Sequence, residues 1–110
     1  MAYDHRLADR VRELVSGVDN LSEQRMFGGL AFLVNGNMAV AASGDGGLLV
    51  RVDPADAAAW IDGERVVPMM MRGREMRGWL TVVTEADGSD LDEWTSRGVA
   101  YASSLPPKVK

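Results

Sequence analysis

The sequence predicts a single α+β domain: one five-stranded antiparallel sheet with helices packed on it, in the order helix, three strands, helix, two strands, helix. Three observations lead there. The segment Arg25 to Ala42 is nearly free of charge and is divided by Asn35-Gly36, a strong hairpin signal because both residues tolerate the positive φ of a type I′ turn. Apolar residues repeat with a helical period near both ends of the chain and with period two between them. The length of 110 residues suits one core, and 46% hydrophobic with 25% charged residues is ordinary globular usage, which disfavours wholesale disorder.

Each element follows in turn. Asp4 is placed to cap a first helix over residues 4–16, in which Leu7, Val11, Leu14 and Val15 form one apolar stripe and Gly17 marks the stop. A polar joint, Asp19 to Ser22, leads to the hairpin. With Asn35 and Gly36 as its loop, Val34 faces Asn37, Leu33 faces Met38 and Ala31 faces Val40. One sheet face then carries Ala31, Leu33, Met38, Val40 and Ala42, and the other Leu30, Phe32, Val34, Asn37, Ala39 and Ala41. Both faces are apolar near the middle, so the side away from the helices calls for a covering element or for self-association, and a homodimer through that face is one expectation.

Ser43 to Gly47 reads as a turn before a third strand, Leu48 to Val52, in which Leu48, Val50 and Val52 alternate with Leu49 and Arg51. Asp53-Pro54 supplies an N-cap and a proline at the first helical position for a short helix reaching about Ile61, with Ala57, Trp60 and Ile61 inward and Gly63 at its end. Val66 to Met71 reads as a strand in which Pro68 marks an edge or a bulge. Gly73 belongs to a turn, and Gly78 to Val83 forms the fifth strand. Asp90 with Glu93 has capping-box spacing for a last helix whose inner face is Leu91, Trp94, Thr95, Gly98, Tyr101 and Ala102, and Pro106-Pro107 ends it.

Composition narrows the function classes. The absence of cysteine excludes disulfides, thiolate metal sites and cysteine nucleophiles, and it agrees with a reducing cytoplasm. His5 is the one histidine and lies close to a terminus, which disfavours histidine-dependent chemistry. MAYDHRLADR is charged where a secretory leader needs an apolar run, and no uncharged stretch suits a membrane span, so a cytoplasmic location without membrane contact is expected. The net charge of −4 argues against broad binding to nucleic acid. Charge is unevenly placed, however: Arg65, Arg72, Arg74 and Arg77 lie close together, and Glu85, Asp87, Asp90, Asp92 and Glu93 form an acidic run.

Gly28-Gly29 and Gly44-x-Gly46-Gly47 match neither phosphate-loop pattern and lead toward strands instead of helix starts, so Gly28-Gly29 reads as a bulge or a close approach of backbones. Met69, Met70, Met71 and Met76 suit core filling better than a promiscuous surface, and Trp60, Trp79 and Trp94 suit core anchoring. The carboxylates at Asp90, Asp92 and Glu93 are accounted for by a helix start. No serine has a histidine partner and no calcium loop occurs, so no catalytic residue, cofactor or metal is expected. A partner- or anion-binding site is expected at Arg72, Arg74 and Arg77, which flank a hairpin turn and carry guanidinium forks suited to carboxylate or phosphate, with Arg25 as a fourth member. Its plain counterpart is a charged turn that keeps a sheet edge from aggregating.

The run RMFGGLAFLVNGNMAVAASGDGGLLVRVD resembles the opening strands of the TfoX/Sxy N-terminal-domain family, MRGREMRGWLTVV its later strand pair with Met76 ahead of Trp79, and LDEWTSRGVAYASSLPPK its closing helix. The likeness covers roughly residues 3–107, with Met26-Phe27-Gly28-Gly29 its most specific part. The resemblance implies an α-β(3)-α-β(2)-α domain similar to the secretion-chaperone-like fold. It also implies a non-enzymatic regulator of competence and transcription that works through protein contacts, with the transcription machinery as the kind of partner. The family's founding members carry a second, C-terminal domain, and a stand-alone N-terminal domain is expected here. The alternatives are a small-ligand or enzymatic domain with a pocket between sheet and helices, marked by a buried polar group converging with Arg25 or Arg51, and direct nucleic-acid binding through the Arg72 to Arg77 hairpin.

Overall fold

The computed structural model describes residues 5–26, 29–43, 47–71, 73–84, 88 and 90–107. In chain order the elements are α1 (His5–Leu14), β1 (Leu21–Met26), β2 (Gly29–Val34), β3 (Asn37–Ala42), β4 (Leu48–Arg51), α2 (Pro54–Trp60), β5 (Val66–Met71), β6 (Arg74–Val82) and α3 (Leu91–Ser104). The strands join in one antiparallel sheet, ordered β1-β2-β3-β4-β6-β5. The α+β class and the three helices agree with the sequence. The sheet has six strands among the described residues where five were expected.

The additional strand is β1, which takes in part of the expected polar joint. Its sequence LSEQRM carries little apolar signal because an edge strand with one neighbour leaves its side chains in water, and Ser22 to Arg25 are exposed. Asn20 turns the chain at φ 60° and its carbonyl accepts from the Asn35 N–H at 3.1 Å, which sets β1 alongside β2 with Leu21 opposite Val34. The α1 helix is tied to this edge by Arg12, whose guanidinium donates to both Glu23 oxygens at 2.7 and 3.0 Å and also reaches Asp9 at 2.8 Å. The paired guanidinium holds the Glu23 carboxyl below its ordinary range.

The turn between β2 and β3 forms as expected, with Asn35 at φ 54° and Gly36 at φ 82°. Val34 pairs with Asn37 and Leu33 with Met38, but the register then shifts: Phe32, not Ala31, lies opposite Val40, and Ala31 lies opposite Ala41. Ala39 is the extra residue of a β-bulge. Because side chains alternate with period two, one inserted residue exchanges the faces of everything beyond it. Val40 and Ala42 therefore join Leu30 and Phe32 in the core beneath the helices, while Ala41 joins Ala31, Leu33 and Met38 on the reverse face.

That main core is completed by Leu7, Val11 and Val15 after α1's apolar stripe, by Leu48, Val50, Leu80 and Val82 of the sheet, and by Leu91 and Trp94 of α3. The reverse face is closed within the chain. Ala31, Leu33, Met38, Ala41 and Leu49 are at most 8% exposed, and Met69 of β5 packs into the same cluster with half-buried Met76 and Trp79 of β6. A covering contact, foreseen as one outcome, is thus present for this face among the described residues.

Pro68 marks a bulge, as expected, in an edge strand: the pairing runs from Val66 opposite Val82 to Pro68 opposite Leu80, then jumps to Met69 opposite Met76. Arg77, Gly78 and Trp79 consequently have no partner in β5, and β6 begins at Arg74, four residues ahead of the expected start. Asp53 caps α2 by accepting from the Ala55 N–H at 2.9 Å, with Pro54 as its first residue. Ala57 faces the core, but Ile61 is the residue after the helix and is 36% exposed, so its inward placement is corrected. A second correction concerns Asp90. It stands before α3 in an α-region conformation that makes no side-chain cap, and its carboxylate accepts from the Thr84 hydroxyl at 2.9 Å and pairs with Arg65 at 3.4 Å. Tertiary partners outcompete the local capping role.

Candidate functional site

The arginines separate into two groups. Arg10 and Arg12 pair along α1, Arg65 donates to the Val83 carbonyl at 3.0 Å and pairs with Asp90, and Arg97 pairs with Glu93 at 3.2 Å. Arg97 also lies over the rings of Trp60 and Trp94, at 4.3 and 4.5 Å, and those rings meet edge to face at 5.8 Å. Arg51 lies over Trp79 at 5.3 Å and near Tyr101 at 5.8 Å. Arg12, Arg51, Arg65 and Arg97 thereby join separate parts of the chain through charge and ring quadrupoles. Arg25, Arg74 and Arg77, by contrast, are exposed and make no ion pair or ring contact among the described residues.

Of the four arginines singled out by sequence, Arg74 and Arg77 lie on the same strand, in the first half of β6, three positions apart and so on opposite faces of it. Arg72 lies outside the described residues. Arg25 is on β1, at the other edge of the sheet, with β2, β3 and β4 between it and β6. The strand order thus does not bring Arg25 beside Arg74 and Arg77.

Beside Arg77 a groove of about 200 Å³ runs between α2 and the β5–β6 pair. Ala57, Ala58 and Ile61 form one side and Pro68, Trp79 and Leu80 the other, with Glu75 and Arg77 as its charged residues. Two features make room for it. The gap in pairing leaves Arg77 to Trp79 without a β5 neighbour. Gly78, at φ +80°, lets the chain pass under Pro54, since a Cβ there would come 2.9 Å from the Val52 carbonyl oxygen and 3.2 Å from Pro54 Cγ. The Val52 N–H donates to the Gly78 carbonyl at 2.8 Å and fixes this approach.

A second cleft, about 310 Å³, lies where α2 meets α3 and is lined by Asp53, Asp56, Trp60, Arg97 and Tyr101. Asp53 is already engaged in capping, and Arg97 is stacked and paired. Among the described residues no group of three or more His, Asp or Glu is arranged to hold a metal ion, and no helix is long and apolar enough to cross a membrane. Thr95 Oγ1 is a buried side-chain atom without a hydrogen-bond partner. It lines neither of these two clefts, nor do Arg25 and Arg51.

A pocket between sheet and helices was foreseen in the small-ligand alternative, marked by Arg25 or Arg51, but the residues of this groove were not. Ile61 was expected inward and Ala58 carried no signal beyond helix formation, and Trp79 and Leu80 across the groove are distant in the chain. The methionines divide as a strand requires, Met69 buried and Met70 57% exposed, while the side chain of Met71 lies outside the described residues. Of the tryptophans, Trp94 is buried and Trp60 and Trp79 are half-buried. Gly28 and the Gly44 to Gly46 turn also lie outside the described residues, and Gly29 opens β2.

A family model described as the TfoX N-terminal domain matches residues 13–102. Neither a curated protein nor a solved structure gives a match.

Proposed function

We propose, from the premise that this chain belongs to the TfoX N-terminal domain family, that it is a non-enzymatic regulatory domain acting by contact with a protein partner. The partner belongs to the machinery of transcription or DNA uptake, as in the competence regulators of that family, and the contact is made at the β5–β6 end of the sheet. One observation carries this reading: Arg74 and Arg77 of β6 are exposed and without an ion-pair partner among the described residues, and Arg77 lines a groove walled largely by apolar side chains, in a chain of net charge −4. Guanidinium groups not used for folding are free to recognise carboxylates, and such rim charges set association rate and specificity.

The test is affinity capture from native cell extract with and without nuclease, using the wild-type chain and the R74E/R77E variant. A nuclease-resistant protein that is retained by the wild type and lost with the variant is the expected result. Capture unchanged by charge reversal at low salt overturns the assigned surface. A signal abolished by nuclease, with affinity falling steeply with salt, supports direct nucleic-acid binding instead. The small-ligand reading is favoured by the cleft at Trp60 and Tyr101, and a ligand there would perturb Trp60 emission without dependence on Arg74 or Arg77.

A further inference from the structure

We infer that the groove between α2 and β6 receives one large apolar side chain from a partner protein, with a neighbouring carboxylate of that partner held by Arg77. The inference rests on the protein-docking reading above and names what the docking surface recognises. Size comes first. At about 200 Å³ the groove is smaller than the roughly 300 Å³ at which clefts for whole drug-sized molecules begin, yet it is ample for a single leucine, methionine or phenylalanine side chain. Chemistry agrees with size: Ala57, Ala58, Ile61, Pro68 and Leu80 supply apolar walls for an anchor side chain, and Glu75 and Arg77 are the charged residues beside it.

Charge selects the flanks of the anchor. Arg77 lies on the groove without an ion-pair partner among the described residues, two positions from Glu75; Arg74, three positions along the strand, is not part of the lining. An acidic residue next to the anchor gains Arg77, and a basic one meets its guanidinium group. The geometry also leaves the partner's main chain a place to lie, because Arg77 to Trp79 have no β5 residue opposite them.

The probe is a synthetic capped peptide, Asp-Glu-Phe-Asp-Glu, titrated into the ¹⁵N-labelled full chain, beside one peptide with alanine for phenylalanine and one with lysine for every acid. Amide shifts confined to residues 55–61 and 75–80 are expected with the first peptide, and R77E should weaken it about tenfold or more, the scale of a lost charge pair at an interface. Replacing the peptide's phenylalanine with alanine should remove saturable binding, as should Ala58→Trp, which fills the groove. R77E changes an exposed residue and keeps the test valid if Ala58→Trp does not fold. Shifts spread over other surfaces, equal binding of the lysine peptide, or concentration-dependent shifts at the groove without any peptide overturn the inference, the last by showing a second copy as the occupant. A folded Ala58→Trp chain that still captures the nuclease-resistant partner from extract sinks the groove and leaves protein docking standing.

Discussion

A methyl group at position 98 has nowhere to go. The Cβ of an alanine there would lie 2.5 Å from the Ala39 carbonyl oxygen and 2.7 Å from Val40 Cγ1, because α3 rests directly on the bulged part of β3. Helix propensity alone would favour Gly98→Ala by about 1 kcal/mol, whereas overpacking against backbone costs about 1–3 kcal/mol. The clash is with a carbonyl that cannot rotate away, so the variant should lose net stability in urea unfolding, and a gain would mean that α3 can lift off the sheet. Asp62 makes a different residue-scale prediction. Its carboxylate accepts from the N–H groups of Val66, Glu64 and Arg65 at 2.8–2.9 Å, and these bonds hold its pKa below the ordinary value. A depressed folded-state pKa contributes stability that is fully present above the unfolded value of about 3.9 and is lost as pH falls through the folded value. Asp62→Ala should therefore melt below wild type at neutral pH, with the gap closing in strong acid. A gap independent of pH would assign the effect to the loop's packing alone.

At the scale of elements, the β3 bulge sets which residues become core. Deleting Ala39 would remove the bulge: Val40 would follow Met38 directly and keep its place opposite Phe32, with Ala42 still opposite Leu30, so both stay beneath the helices. The loss is then the buried contact of Ala39 with Ala102 of α3, and the deletion variant should keep a cooperative thermal transition by circular dichroism at a lower melting temperature than wild type. Loss of the cooperative transition would show that the bulge itself is needed to seat α3 on β3. This also explains what was legible in the sequence. Asp53-Pro54, Asn35-Gly36 and the Leu7 to Val15 stripe act locally, through caps, turn dihedrals and period, and they fold as read. The bulge at Ala39 leaves no mark in a run of small apolar residues, and β1 is polar because it is an edge. Asp90 shows the same limit, since its capping spacing was overridden by Thr84 and Arg65, partners supplied by tertiary packing.

At the scale of the whole molecule, the candidate site is a product of topology. Arg74 and Arg77 are neighbours in sequence and were visible as a pair, but the groove beside Arg77 exists because α2, following β4, crosses to pack on β6, which only the completed sheet determines. The same sheet order places Arg25 across the molecule. One further property belongs to the sheet as a whole: β2 and β3 are buried at every position, whereas the end of β6 is buried at alternate ones, Gly78, Leu80 and Val82. A saturation scan of folded yield should thus read β6 as a strand, tolerant and intolerant by turns, and the β2–β3 hairpin as an unbroken intolerant block. Twelve residues, most of them glycine, alanine, valine and leucine, would then be the part that heredity is least free to rewrite.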